Sequence, residues 1–348
     1  MTSRERVMAV LNHEQPDRCP VDFWAERTTL QTLLKYFNVP SENDVLDILN
    51  VDLQYVWPQS TLPEPEILPD GSWYTPWGTH LKKAENEHCD YDEYASFPLA
   101  YAEDVEDLEK YNKWPDATKF DWEHYSEQIG DVYKKRVCKL PAGGIYEIAW
   151  GLRGQEQLLM DMVVAPEIVH YIMDKISSYW CDYIKFALDA AGDKIDIVYT
   201  YDDIASQNSL IMSPEMLEEF VYPYHRKVNA VIKSYGKKII YHSCGAVTPV
   251  IDNIIGNSVD ILNPLQPRAK GIDFEAIKEK WGEKVIFHGG IDIQHTLPSG
   301  SPEDVREEVK HAIDTLGKNG GYIMTSAHFM QNDTPVENII AMYDVSLR

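Results

Sequence analysis

The residues best suited to chemistry sit where short apolar runs end. Asp202, Asp203 and Gln207 follow Asp196–Thr200, and His242, Ser243, Cys244 and Gly245 follow Lys238–Tyr241. Asn263 and Gln266 follow Val259–Leu262, His288, Gly289, Gly290 and Asp292 follow Val285–Phe287, and Thr325, Ser326 and His328 follow Tyr322–Met324. The runs themselves are β-branched or aromatic, as a buried strand requires, whereas the residues just after each run are polar or able to bind metal. In parallel α/β proteins the active site is built from the loops that leave the strands, so this recurrence is the pattern of a site.

His242 and Cys244 are two apart on an extended segment, which points both side chains the same way. An imidazole and a thiolate facing one cavity can ligate zinc, which catalytic sites hold with three protein ligands and one open position. In isolation, a His-x-Cys pair is more often a buried histidine beside a small apolar cysteine. The strand-end position, and His328 at another strand end, turn the reading toward a zinc site of His242, Cys244 and His328. Asp203 and His288 are the acid–base candidates, and Asp202, Gln207, Asn263, Gln266 and Asp292 the candidates for substrate binding. The aspartate pair is equally compatible with helix capping or solvation. His288 is open between a proton carrier, a fourth ligand and a hydrogen-bonded group behind the ligands. His225, in an amphipathic helix, and His295, in a polar loop, read as surface residues. No Gly-x-Ser-x-Gly elbow exists, and Cys244 lacks the flanking signature of a cysteine-protease nucleophile.

Helices with legible start signals separate the runs. Ser213-Pro214-Glu215 and Ser301-Pro302-Glu303 each set a hydroxyl at the N-cap and proline in the first turn, and Thr334-Pro335-Val336-Glu337 adds a capping-box glutamate. Val305, Val309, Ala312, Ile313 and Leu316 share one helical face, with Gly317 as the stop. Pro223 should kink the Met216–Tyr235 helix or break it in two. Alternation of apolar strands and amphipathic helices means a parallel sheet covered by helices. No GxGxxG or GxxxxGK[ST] loop follows an early strand, which favours a closed barrel over an open nucleotide-binding sheet. The expected architecture is a single-domain (β/α)8 TIM barrel over residues 1–348 with N-terminal helical and hairpin elaborations. Residues 52–135 carry Trp57, Trp73, Trp77, Trp114 and Trp122 among tyrosines, acidic residues and turns such as Pro69-Asp70-Gly71. They read either as a hairpin and small helices packed on the barrel or as a partial lid with aromatic walls.

Bulk properties exclude several partners. A net charge of −24 argues against nucleic acid and anionic membranes, which demand clustered Lys and Arg. No apolar run reaches the roughly 18–20 residues of a membrane span. The N-terminal MTSRERVMAVLNHEQ has neither an apolar h-region nor a cleavage site, so a cytoplasmic enzyme is expected. Cys19, Cys89, Cys138, Cys181 and Cys244 are scattered and odd in number, which suits reduced thiols rather than a disulfide framework.

Long blocks carry a further signal. RERVMAVLNHEQPDRCPVDF, SPEMLEEFVYPYHRKVNAVIKSYGKKIIYHSCG, GGIDIQHTLPSGSPEDVREEV and GGYIMTSAHFMQNDTPVENIIAMY resemble the uroporphyrinogen decarboxylase superfamily nearly end to end. That resemblance implies a (β/α)8 barrel. Uroporphyrinogen decarboxylases proper carry an arginine-rich loop after the first strand and an aspartate near the next. Here those stretches read DFWAERTTLQ, in which Arg27 is the one basic residue, and VDLQYVWPQS, which has no aspartate at its end. An octa-anionic porphyrinogen would meet a strongly acidic protein with too few cations.

The resemblance is closer in type to the superfamily's zinc methyltransferases, which exchange methyl groups with cobalamin on a corrinoid protein. Their ligands are a His-x-Cys after a barrel strand, matched by His242 and Cys244, and a cysteine after the last strand, where this chain has His328. An acidic fourth ligand of some relatives has no clear match near Asn263 or Gln266. One thiolate with two neutral imidazoles leaves the zinc centre cationic and a stronger Lewis acid than a two-thiolate site. This leans toward an oxygen-bound methyl donor such as an aryl methyl ether, giving O-demethylation. The chain has no Asp-x-His-x-x-Gly, so cobalamin is expected on a separate partner protein. The competing readings are a decarboxylase of a smaller carboxylic acid and a non-catalytic ligand-binding barrel.

Overall fold

The β-branched and aromatic runs pair in parallel because consecutive runs are joined by crossovers of more than a dozen residues that contain helix. The computed structural model describes residues 1–84 and 92–347, so Cys89 lies outside the described residues. Its strands are β1 (Leu53–Tyr55), β2 (Trp73–Tyr74), β3 (His80–Lys83), β4 (Asp92–Ser96), β5 (Val137–Pro141), β6 (Ile197–Tyr201), β7 (Lys238–His242), β8 (Ile261–Leu265), β9 (Ile286–Ile291) and β10 (Tyr322–Ser326). Seven of them form one sheet in the order β1-β5-β6-β7-β8-β9-β10, and every pairing is parallel. The sheet curls until its edges meet. Val21 bridges Met324 of β10 in parallel, and its carbonyl accepts the Asp52 N–H at 2.9 Å beside β1. The Pro20–Asp22 stretch is therefore the missing stave, and the chain has the expected α/β barrel architecture.

Strand periodicity then layers the interior. Leu53, Val137, Ile197, Ile240, Ile261, Ile286 and Ile323 meet in one apolar cluster at the foot of the barrel. The first helix, Ser3–Leu11, seals it with Val7, Val10 and Leu11. Two residues further along each strand, on the same face, come Tyr55, Lys139, Tyr199, His242, Asn263, His288 and Thr325. The hydrogen-bond ladder continues through these positions, so His242, Asn263, His288, Gly289, Gly290, Thr325 and Ser326 lie within strands rather than after them. The sequence reading ended each strand where apolar side chains ended; the backbone goes on because the interior itself turns polar there.

Ser213 and Ser301 cap their helices as expected, accepting the N–H groups of Met216 and Asp304 at 3.2 Å. Pro223 falls at a break between helices Pro214–Phe220 and Tyr222–Ser234, and Gly317 ends Pro302–Leu316. The box at Thr334 does not form. That helix starts at Val336 with Pro335 at its N-cap, and the Thr334 hydroxyl bonds Asp333 instead.

The aromatic-rich stretch contains a small antiparallel sheet, β2-β3-β4. Trp77, Trp114 and Trp122 pack edge-on or tilted against Tyr179, Tyr171 and Tyr183 of the long helix Pro166–Ala191, which is packing. Tyr55 and Trp57 instead face the barrel mouth.

Candidate metal centre

His242, the last residue of β7, and Cys244, just beyond it, present Nε2 and Sγ 3.5 Å apart. His328 enters from the loop after β10, and the donor atoms of all three lie within 4.8 Å of one another. Tetrahedral zinc with bonds of about 2.0–2.3 Å sets its ligands roughly 3.5 Å apart, so the His242–Cys244 pair is already at that spacing and His328 needs only a small side-chain shift. Its imidazole makes no hydrogen bond to any described residue and stands edge-on to His242, ring centres 5.7 Å apart. Burial holds both imidazoles neutral, the form that ligates a cation. His242 lies below its ordinary pKa, and His328 is pushed down to about 4 by burial and then by His242. Burial, then Asp203, pushes the Cys244 thiol up, a bias that a bound cation reverses. The donor set fits zinc.

The neighbours hold these groups in place. Asp203 Oδ1 accepts the Cys244 N–H at 2.7 Å and lies 3.6 Å from His242 Nε2. Asn263 Oδ1 is 2.6 Å from His242 Nδ1, and the Trp24 indole stacks on the same ring at 5.6 Å. Gln266 accepts the Gly245 N–H at 2.8 Å and donates to Gln207 at 2.6 Å, which braces the loop carrying Cys244.

Two cavities meet at this cluster. A chamber of about 510 Å³ is walled by Phe23, Tyr55, Trp57, Tyr199, Tyr201 and Phe329, with His242 and His328 at its floor. Its charged lining is Arg27, Glu42, Glu147 and Asp203. A more polar cleft of about 300 Å³ opens on the other side, lined by Gln207, Gln266, Gln331, Cys244 and again His328. Glu147, in the first turn of Tyr146–Arg153, accepts the Asp203 N–H at 2.8 Å. Burial, and next Asp202 and Asp203, push its carboxyl up to about 8, so it carries a proton at neutral pH.

Several expected roles are corrected. Asp202 is fully buried and spends its oxygens on the N–H groups of Ile145, Tyr146 and Glu147 and on His225, so it caps a helix instead of meeting substrate. His225 is correspondingly buried, not on the surface: Tyr222, Val228, Asn229 and Ile232 share its inward face. Asp292 is paired with Arg268 at 2.8 Å and lines neither cavity. Asn263 and His288 are fully buried beneath the chamber, so neither touches its contents. His295 is exposed, as expected. Sequence reasoning missed Asp22, Lys139 and Glu147. The first two form a fully buried ion pair under the candidate ligands, with Lys139 Nζ 3.9 Å from the Tyr55 ring centre. A lysine flanked by Val137, Cys138, Leu140 and Pro141 inside a strand was the available signal.

The chain has known counterparts in sequence and in fold. Residues 103–346 match the uroporphyrinogen decarboxylase (URO-D) family. The chain belongs to that family. A solved methyltransferase from Methanosarcina mazei superposes with a TM-score of 0.69 over 100% of this chain and 98% of that one, at 17% identity, a likeness of fold. Uroporphyrinogen decarboxylases of Thermosynechococcus vestitus and Psychromonas ingrahamii are 23% and 24% identical over 181 and 192 residues, respectively. These matches cover 51% and 52% of this chain and 48% and 50% of the two proteins, so the chain spans about half the length of the curated relatives it matches. Among the described residues no helix is long and apolar enough to cross a membrane.

Proposed function

We propose that this URO-D family member is a zinc-dependent methyltransferase. It moves a methyl group between a small methoxylated aromatic compound and a corrinoid carried on a separate partner protein. The observation that carries the reading is the convergence of the His242, Cys244 and His328 donors where an aromatic chamber, floored by His242 and His328, meets a polar cleft lined by Cys244. Zinc held there would supply a Lewis acid able to polarise an ether oxygen and stabilise a departing phenolate.

The chain's own residues account for the rest. Phe23, Tyr55, Trp57 and Phe329 offer ring faces and edges for an aryl group and keep water from it. Asp203 fixes the Cys244 backbone, so the sole anionic ligand is held against the imidazoles. Glu147, protonated beside Asp203, can return a proton to the phenolate oxygen that leaves. The polar cleft shared by Cys244 and His328 leaves a second approach to the same centre for the methyl acceptor.

The family likeness keeps decarboxylation of a smaller acid as the second reading. Against it, Glu42, Glu147 and Asp203 face the chamber and, among the described residues, Arg27 is the one cation in its lining, a poor match to a carboxylate substrate. The test combines elemental analysis with turnover. The purified chain is expected to hold one zinc, and to demethylate a methoxyarene when a corrinoid protein is added. Turnover of a carboxylic acid to carbon dioxide without any corrinoid would favour the decarboxylase and overturn this reading.

A further inference from the structure

Beneath the metal ligands runs an unbroken buried line of polar side chains. His242 Nδ1 meets Asn263 Oδ1 at 2.6 Å, and Asn263 Nδ2 meets His288 Nδ1 at 2.6 Å. His288 Nε2 meets Asp22 Oδ2 at 2.9 Å, and Asp22 is paired with Lys139. All five residues are buried, four of them to 1% exposure or less.

The chemistry of each group fixes the direction of this line. Asp22 also accepts from the Trp24 indole at 3.2 Å and from the Phe23 N–H at 2.9 Å, so it is surrounded by donors. Burial pushes its carboxyl up, but Lys139 and His288 outweigh that and hold it well below the usual range. A carboxylate only accepts, so His288 must carry its proton on Nε2. Burial keeps that imidazole neutral, and its Nδ1 is therefore an acceptor. Asn263 must turn its NH2 toward His288 and its carbonyl toward His242. His242 then has its proton on Nδ1, and a lone pair on Nε2 facing Cys244 Sγ. The reverse direction would put a His288 lone pair against the Asp22 carboxylate and an N–H where a metal ligand is needed.

We propose that Asp22, paired with Lys139, is a positioning residue that sets the tautomer of His242 through His288 and Asn263, keeping Nε2 free to bind a divalent cation. This arrangement of protons exists in the metal-free chain. It adds to the zinc reading and does not depend on which methyl donor is used.

Two measurements test it. In the metal-free wild-type chain, long-range nitrogen–proton NMR correlations of labelled histidine should find the His242 proton on Nδ1 and the His288 proton on Nε2. The Asp22→Leu/Lys139→Met double variant removes the acceptor without stranding a buried ammonium. With no acceptor at Nε2, the His288 proton should then move to Nδ1, Asn263 should rotate to accept it, and the His242 proton should move to Nε2. Zinc affinity, measured by competition with a chromophoric chelator, should fall about 10–100-fold, as for lost partners of metal-bound histidines. A wild-type proton on His242 Nε2 overturns the proposal, whether or not the variant folds. So does a folded double variant with unchanged tautomer and unchanged zinc affinity. If the wild type binds no zinc, the metal reading above fails, while the NMR result still decides the relay.

Discussion

Two layers of the barrel interior, one strand repeat apart, have opposite chemistry. The lower one is Leu53, Val137, Ile197, Ile240, Ile261, Ile286 and Ile323, all buried and apolar. The upper one is Tyr55, Lys139, Tyr199, His242, Asn263, His288 and Thr325. Both are held by the same hydrogen-bond ladder, so the backbone imposes no difference between them. The lower layer can be exchanged for any apolar set of similar volume. The upper one holds charges and dipoles out of water, which costs stability unless each is paired. The barrel thus keeps its folding energy at one end and its chemistry at the other, two residues away.

The largest effect should come from the top. Cys244→Ala removes the only anionic ligand, and zinc affinity should drop by more than the roughly 100-fold that loss of a group behind a ligand can cost. The melting transition should stay cooperative, because Cys244 is only partly buried and lies beyond the strands. Affinity of the wild type should also fall as pH falls, since protons compete for the thiolate. Retained stoichiometric zinc in the alanine variant, measured by elemental analysis, would remove the centre from Cys244. Below, Ile240→Ala should do the opposite. It should cost about 2–5 kcal/mol in denaturant unfolding by opening a cavity in the apolar layer, yet leave zinc binding of the folded fraction unchanged. A loss of zinc affinity in that variant would show that the two layers are coupled.

Glu147 sharpens the contrast by pH. Its carboxyl is raised to about 8 by burial and by Asp202 and Asp203, whereas an unfolded chain ionises it near its ordinary value. A raised carboxyl means the folded state binds the extra proton. The stabilisation is therefore complete below the unfolded pKa and is lost as pH rises through the folded one. Between pH 5 and 8 the wild type should lose on the order of 3 kcal/mol relative to Glu147→Gln. Parallel pH profiles of the two would mean that Glu147 ionises normally.

Legibility in the sequence divides along the same line. The barrel was legible because apolar strands and capped helices alternate, and long blocks resemble one family. His242, Cys244 and His328 were singled out because they stand at strand ends and are types that bind metal, and the structure brings their donor atoms together. Asp22 was hidden because its stave is a single bridge, Val21 to Met324, with no strand pattern to mark it. Lys139 was hidden because one lysine among apolar residues reads as a solvent-facing position, and Glu147 because a first-turn glutamate has a sufficient explanation in the helix dipole. Asp202 and Asp203 looked equivalent as neighbours. Strand alternation sends the first outward to cap a helix and leaves the second beside Cys244. Partnering across the barrel, which separates these cases, is not written locally in the chain.

Thr325 provides the smallest test. It completes the upper layer on β10, two residues after Ile323, and is fully buried, yet its hydroxyl has no hydrogen-bond partner among the described residues. If the upper layer acts as a site only where its members are linked, this hydroxyl is a cost without a return. Thr325→Val keeps the shape and removes the orphaned group, whose desolvation is worth about 1–3 kcal/mol before any loss of packing. The variant should be as stable as the wild type or about 1 kcal/mol more so in denaturant melts, with zinc affinity unaltered. Its neighbours in the layer should respond differently: Asn263→Ala breaks the contact with His242 and should weaken zinc about 10–100-fold. A tenfold loss of zinc affinity in Thr325→Val would instead place that hydroxyl among the groups that serve the centre, and would make the polar layer functional around its whole circumference.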